Sequence, residues 1–122
     1  MATAHEPIIL NADGRSLGRI ATQAATLLRG KTHPEYQPHI LPTQKVIITN
    51  AARVRVTGNK MLKGKREKYS CYPGGLKMIS YQATFDKSPS KFIIQAIEGM
   101  IPRNRLRKEI LKNLSVYATD QK

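Results

Sequence analysis

Residues 8–30 read IILNADGRSLGRIATQAATLLRG, and this stretch carries the pattern from which the fold is predicted. Its apolar run, Ile8–Leu10, ends at an Asn-Ala-Asp-Gly turn and indicates a buried strand. Apolar residues then recur three or four positions apart between Leu17 and Leu28, which is the spacing of one helix face. This strand and helix begin the alternation that is typical of an α/β domain.

The ends of the predicted helix are marked by residues that favour caps. Either Ser16 or Asp13 can cap its start, and Gly30 stands where a glycine commonly ends a helix. A proline-rich loop follows and is unsuited to regular structure. The β-branched run Val46–Thr49 then predicts a second buried strand, and residues 50–52 can start one short helical turn.

Two further helices and an edge strand are predicted in the last third of the chain. Ser88-Pro89 is a cap followed by a proline at the first helical position, and an apolar stripe continues to Met100. Apolar residues from 106 to 114 mark a last helix with a basic opposite face, and 116–118 can form a final edge strand. The strands are continuously apolar, as expected where both faces of a sheet are covered.

These elements predict an α/β fold in one domain. We expect residues 1–122 to form a single three-layer domain with a mainly parallel, roughly four-stranded sheet flanked by helices, and short flexible ends at about 1–7 and 119–122. The 28 Leu, Ile, Val and Phe residues make about 23% of the chain, so the core is thin.

Charge is the strongest compositional signal. The 21 Lys and Arg residues against 8 acids give a net charge of +13, which favours a polyanionic partner. Nucleic acid is preferred over an anionic membrane surface or an acidic protein. The single cysteine excludes an internal disulfide and a multi-thiolate zinc site. No apolar run approaches the ~20 residues of a membrane span, and no secretory signal is expected.

The positive charge falls into three groups. The first lies around the first helix at residues 15–31, the second between 53 and 77, and the third at 103–112. The second holds eight basic residues against Glu67, and we expect it to be a solvated loop or a strand pair at the domain edge. Its tyrosines, and Tyr81 beyond it, can stack on unpaired bases or be half-buried strand residues, and the sequence leaves both open.

Catalytic chemistry finds little support in this sequence, and we predict no catalytic residue, metal ligand or cofactor. His33 and His39 lie in the proline-rich loop without a matching carboxylate pair or thiol cluster, and Cys71 has no histidine near it in sequence. Residues 58–66 resemble a phosphate-binding loop, but five residues separate the glycines and Arg66 replaces the Ser or Thr that would hold magnesium. The glycines at 14 and 18 also lack dinucleotide-binding spacing, whereas arginines at a helix N-terminus suit a phosphate.

Several motifs, in order along nearly the whole chain, resemble the bacterial large-subunit ribosomal protein thirteen family. They are DGRSLGRIAT (13–22), LRGK (28–31), PEYQPH (34–39), NA (50–51) with VTG (56–58), YPGGLK (72–77), GMIPRNRL (99–106) and VYA (116–118). The chain departs from the family pattern at Ser70-Cys71, where Ser/Thr-Gly is common, at Arg107-Lys108, where Gly-Arg is frequent, and in a shorter N-terminal arm.

The resemblance implies a three-layer α/β fold, binding to 23S ribosomal RNA and an early role in assembly of the 50S subunit. It carries RNA contact to Arg15, Arg19, Arg29, Lys31, Gly74, Gly75, Lys77, Arg103, Asn104 and Arg105. Charge and composition add His39, Arg55, Lys60, Lys63, Lys65, Arg66, Lys68, Tyr72, Arg107 and Lys108 as RNA-binding candidates.

The expected partners are 23S rRNA and neighbouring ribosomal proteins in a cytoplasmic, bacterial ribosome, with an organellar ribosome as the alternative. No membrane, small-molecule substrate or homo-oligomer is expected. A free-standing DNA-binding protein and a small RNA-modifying enzyme are the rival functions. The first would need a base-reading helix or a dimer interface, and the second would need turnover that depends on Cys71 or His39.

Overall fold

The computed structural model of the protein describes residues 6–120. The expected flexible ends lie partly outside this range, at residues 1–5 and 121–122, and stay a prediction. The elements in chain order are β1 (Ile8–Asn11), α1 (Leu17–Leu28), β2 (Val46–Thr49), a 3₁₀ turn (Ala51–Arg53), α2 (Lys60–Lys63), β3 (Lys65–Tyr69), β4 (Leu76–Ser80), α3 (Tyr81–Lys87), α4 (Pro89–Met100), α5 (Leu106–Lys112) and β5 (Leu114–Val116). No helix within residues 6–120 is long and apolar enough to cross a lipid bilayer.

A parallel sheet in the order β1-β2-β5 confirms the predicted α/β class. Strand β2 lies at the centre of this sheet. Its first residue, Val46, pairs with Ile8 of β1 on one side and with Leu114 of the edge strand β5 on the other. The expectation of roughly four strands was wrong, because this sheet has three. The other two strands, β3 and β4, form a separate antiparallel hairpin, since their basic sequence lacks the apolar run that a buried strand needs.

One face of the parallel sheet forms the core. Leu10, Val46 and Ile48 lie on this face, are buried, and pack with the apolar sides of α1 and α4. The opposite face is open at β1, where Ile9 is 66% exposed. The expectation that both faces of every strand are covered was therefore wrong at β1.

Local cap chemistry sets both ends of α1. The Ser16 hydroxyl accepts a hydrogen bond from the Arg19 backbone N–H at 3.4 Å, so Ser16 rather than Asp13 is the cap. At the other end Gly30 has φ +70° and donates to the Leu27 carbonyl, while Lys31 donates to the Thr26 carbonyl. This pair of bonds is the Schellman arrangement, which needs a left-handed residue at Gly30.

Helix α4 begins as predicted, with Pro89 in its first turn and the Ser88 hydroxyl accepting from the Lys91 N–H. Helix α3 was not anticipated, because Tyr81 and Phe85, four residues apart, are its only large apolar residues. The Ser80 hydroxyl, which accepts from the Ala83 N–H at 3.2 Å, was the available signal. The T-shaped packing of Tyr81 and Phe85 on Phe92, with ring centroids 5.7 Å apart in each pair, holds α3 against α4.

Gly64 joins α2 to the hairpin at a point with no room for a side chain. A β-carbon there would overlap the Tyr81 ring and the Lys60 carbonyl oxygen. We expect Gly64→Ala to lower the free energy of unfolding by about 2 kcal/mol, because the ring or the backbone must move. Urea unfolding measures this loss.

The matched control is Gly99→Ala, because nothing lies within 4 Å of a β-carbon added at Gly99 in α4. It is expected to raise the free energy of unfolding by about 0.5 kcal/mol, since alanine loses less backbone entropy than glycine in a helix. Equal losses in the two variants would contradict the steric explanation.

Candidate nucleic-acid interface

A basic cleft lies at the start of α1. Arg15, Arg19 and Arg55 line it together with Gly14, Ser16, Ile20, Gln23 and Thr57, around a volume of about 750 Å³. The three arginines are all exposed. No Asp or Glu is among the described residues that line the cleft, so its charge is uncompensated.

Backbone pairing brings Arg55 beside the start of α1. The Arg55 N–H donates to the Arg15 carbonyl, and the Leu17 N–H donates to the Arg55 carbonyl, each at 2.9 Å. Ser16 and Arg55 thereby form a parallel β-bridge. These bonds unite the first and second basic groups through Arg15 and Arg55, which lie 40 residues apart in sequence.

The chemistry of this cleft suits a phosphate. Guanidinium groups bind phosphate oxygens through paired hydrogen bonds. The N-terminus of α1 adds the partial positive charge of the helix dipole, while its Leu17 and Arg19 N–H groups are bonded to the Arg55 carbonyl and the Ser16 hydroxyl. Gln23 accepts a weak bond from the Arg15 guanidinium at 3.4 Å and so helps to orient that side chain. The cleft can therefore hold the backbone of a nucleic acid without reading its bases.

The third basic group lies near the other end of α1. The Arg29 guanidinium donates to the Tyr36 hydroxyl at 3.1 Å. Arg29 and Tyr36 also line a small cavity with Pro102 and Asn104, which places residues 103–105 beside the end of α1. Lys31 shares a separate groove with Arg29, and Met100 at the end of α4 also lines it. Helix α1, about 18 Å long, thus connects the first and third basic groups.

Within the third group, Arg103, Asn104 and Arg105 are exposed, as is Lys108 on α5. Arg107 differs, because its guanidinium forms a 2.6 Å ion pair with the Glu98 carboxylate and only 22% of its side chain is exposed. The pairing holds α5 to α4 and leaves Arg107 less available than its neighbours. Its RNA contact stays a prediction.

The second basic group lies mostly on α2 and the β3–β4 hairpin, which are exposed to solvent as predicted. Its candidates on α2 and the hairpin are exposed: Lys60, Lys63, Lys65, Arg66, Lys68 and Lys77. Arg66 also lines a groove against Leu17 and Phe92 of the domain body. His39 is exposed in the proline-rich loop.

The hairpin end confirms the predicted turn at Gly74-Gly75. Gly74 has φ +74°, and a β-carbon on Gly75 would overlap the Ser70 hydroxyl. Tyr72 beside it is 76% exposed. The interpretation of the tyrosines as half-buried strand residues is wrong for Tyr69 and Tyr72, which are exposed. Tyr81 is half-buried against Phe92, but it begins helix α3 and does not lie on a strand.

Cys71 is exposed and has φ +63°, a left-handed conformation that costs about 1 kcal/mol or more for a residue with a β-carbon. We expect Cys71→Gly to stabilise the hairpin by about 1 kcal/mol. Slower amide hydrogen exchange in β3 and β4 would measure this gain. Ser70→Gly, at a position without a positive φ, is the control and is expected to give no gain; equal protection in both variants would contradict the role of strain.

Across residues 6–120, no three His, Cys, Asp or Glu side chains are grouped closely enough to hold a metal ion. Sequence reasoning missed Gln23 and Thr57 as lining residues of the arginine cleft. No local pattern marks them, because their proximity arises only from the pairing of residue 55 with the start of α1.

Comparison with known proteins agrees with this geometry. The family model for ribosomal protein L13 matches residues 5–122. The large ribosomal subunit protein uL13 of Moorella thermoacetica is 43% identical, over 98% of this chain and 86% of its own length. The uL13 proteins of Streptomyces coelicolor (43% identical, over 93% of this chain and 77% of the relative) and Alkalilimnicola ehrlichii (40% identical, over 90% and 78%) are similar as well. The resemblance that the motifs indicated is confirmed, and the chain belongs to the ribosomal protein L13 family.

Proposed function

We propose that this protein is a structural constituent of the large (50S) ribosomal subunit, where it binds 23S rRNA and stabilises it during early assembly. The prediction that it is not an enzyme is confirmed by its membership of a ribosomal protein family. Its location is then the ribosome, in a bacterial cytoplasm or, alternatively, in an organelle. In this proposal the chain acts as a single domain.

The convergence of Arg15, Arg19 and Arg55 in one acid-free cleft carries the proposal. A net charge of +13 is offset when phosphates neutralise it. Each phosphate contact also releases condensed counterions from the RNA, which favours binding at low salt. Because the cleft presents guanidinium groups at the positive end of a helix, it recognises phosphate groups, and shape dominates over base sequence.

Sedimentation of cell extracts through sucrose gradients in high salt tests the proposal. Retention of the protein in the 50S peak is the expected result, because a structural constituent is held by the shape of the folded rRNA as well as by charge, whereas high salt releases a protein held by phosphate contacts alone. A pool found entirely at the top of the gradient would overturn it. Competition between 23S rRNA and random duplex DNA adds the second readout, because equal affinity would favour a free-standing DNA-binding protein.

Removal of charge beside the end of α1 gives a specific prediction. The double variant Arg103→Ala/Arg105→Ala is expected to weaken binding to 23S rRNA by about tenfold and to reduce the slope of log affinity against log salt by about 1.5. Filter binding at several salt concentrations measures both quantities.

The matched control is Lys87→Ala/Lys91→Ala, which removes the same charge from exposed positions outside the three basic groups. It is expected to leave the affinity within about twofold, because distant exposed charges are screened. If both double variants weaken binding equally, net charge rather than the position of Arg103 and Arg105 sets the affinity.

A further inference from the structure

The β3–β4 hairpin has two chemically different faces. Its register places Glu67 opposite Met78 and Tyr69 opposite Leu76, while Arg66 faces Ile79 and Lys68 faces Lys77. Successive residues of a strand point to opposite sides. One side therefore carries Glu67, Tyr69, Leu76 and Met78, with Lys65 and Ser80 at its base, and the other carries Arg66, Lys68, Lys77 and Ile79. We call these the apolar face and the basic face.

The apolar face is uncovered. Tyr69 is 61% exposed, Leu76 55% and Met78 57%, and the three are cross-strand or diagonal neighbours. Isolated apolar residues on a surface need no explanation, but neighbouring ones that form a patch mark an interaction site. Nothing else in residues 6–120 covers them, since both strands are exposed along most of their length.

The charge on the apolar face indicates the kind of partner. Glu67 lies within it and is the only acidic residue between positions 53 and 85. Its carboxylate forms no ion pair with any residue from 6 to 120. A carboxylate repels a phosphate backbone and attracts Lys or Arg. The outer part of this face, where Glu67 lies beside Tyr69, Leu76 and Met78, therefore disfavours RNA, whereas Lys65 lies at the base of the face. The basic face has the opposite preference at Lys68 and Lys77, while Arg66 at its base lines the groove against Leu17 and Phe92.

We propose that the apolar face docks a basic segment of a neighbouring protein in the ribosomal subunit, while the basic face contacts RNA. The segment sets apolar side chains against Tyr69, Leu76 and Met78, and a Lys or Arg against Glu67. This inference rests on the proposed function, because it requires the protein to be part of the large subunit. The hairpin then holds protein on one side and RNA on the other.

Photocrosslinking in isolated large subunits tests the assignment of the two faces. A diazirine amino acid at position 78 reports on the apolar face, and the same group at position 77 reports on the basic face. A diazirine inserts into any adjacent molecule, so it does not favour protein over RNA. We expect position 78 to crosslink a protein through a segment with Lys or Arg, and position 77 to crosslink rRNA.

The outcomes separate this inference from the proposed function. Crosslinking of position 78 to rRNA alone, or to nothing in particles that contain the protein, would overturn the docking of a protein. Absence of the labelled protein from the particles, when the wild-type chain is also absent, would instead refute the proposed function.

A charge variant tests the role of Glu67. In the background with the diazirine at position 78, Glu67→Lys is expected to reduce the protein crosslink by about tenfold, since like charges then face each other. Glu67→Gln keeps the shape and is expected to reduce it less. Equal yields of the protein crosslink with Glu67, with Glu67→Gln and with Glu67→Lys would exclude recognition through the carboxylate. The crosslink from position 77 controls for folding of the hairpin.

Discussion

Replacing Ile48 with alanine is expected to lower the free energy of unfolding by about 4 kcal/mol. Ile48 is fully buried at the centre of the central strand, between Leu10 of β1 and Val116 of β5. Truncation removes three carbons from the core and leaves a cavity that three hydrogen-bonded strands cannot close. Domains of this kind have only about 5–15 kcal/mol of total stability, so the variant loses a large part of it. Urea unfolding followed by circular dichroism measures the change.

Ile9→Ala is the matched control, because it makes the same chemical change on the neighbouring strand. Ile9 is mostly exposed, so its truncation is expected to cost under about 1 kcal/mol. The difference between the two losses of unfolding free energy measures the contribution of burial, because the change in strand propensity is the same in both variants. Similar losses at both positions would mean that the open face of β1 is covered in solution.

Replacing Arg15, Arg19 and Arg55 together with glutamine is expected to weaken binding to 23S rRNA by at least about 100-fold at physiological salt. Each guanidinium in the cleft can make charge-assisted bonds to phosphate, and glutamine keeps a similar length without the charge. The slope of log affinity against log salt is expected to fall by about 2 to 3, since three phosphate contacts are lost. Filter binding with full-length 23S rRNA between 50 and 300 mM salt measures both.

The control changes three exposed lysines outside the three basic groups, Lys45, Lys87 and Lys91, to glutamine. It lowers the net charge equally and is expected to change the affinity by less than about threefold. Unfolding curves of both triple variants should match the wild type, because all six side chains are exposed. An equal loss of affinity in the two variants would refute a localised phosphate site.

The elements that the sequence predicted accurately depend on neighbours within one or two turns. Helix α1 occurs at Leu17–Leu28 and strand β2 at Val46–Thr49, both as predicted. These elements are favoured by their apolar spacing, by the Ser16 cap and by the glycine after the helix, all of which act within the segment itself. Packing in the core stabilises the same helix and strand. Strand β5 occurs two residues earlier than predicted, because pairing with β2 rather than composition sets its ends.

The features that were missed depend on tertiary contacts. Helix α3 is stabilised by the rings of Tyr81 and Phe85 on Phe92, which its seven residues do not reveal alone. The hairpin separates from the parallel sheet, which left that sheet one strand short of the expected number. The three basic groups were visible as charge, but the contact between Arg55 and the start of α1 required the fold.

The arginine cleft is complete only while the backbone bridge between Ser16 and Arg55 is formed. Two 2.9 Å backbone bonds, and a third of 3.2 Å from Gly14 to the Arg53 carbonyl, hold the two segments together. If residues 53–57 open transiently, Arg55 leaves the cleft, and the observed affinity falls by the fraction of time spent open. A ligand that occupies the cleft opposes this opening and should slow exchange of the Leu17 and Arg55 amide hydrogens. Residues that never touch the ligand can therefore change its affinity by loosening this bridge.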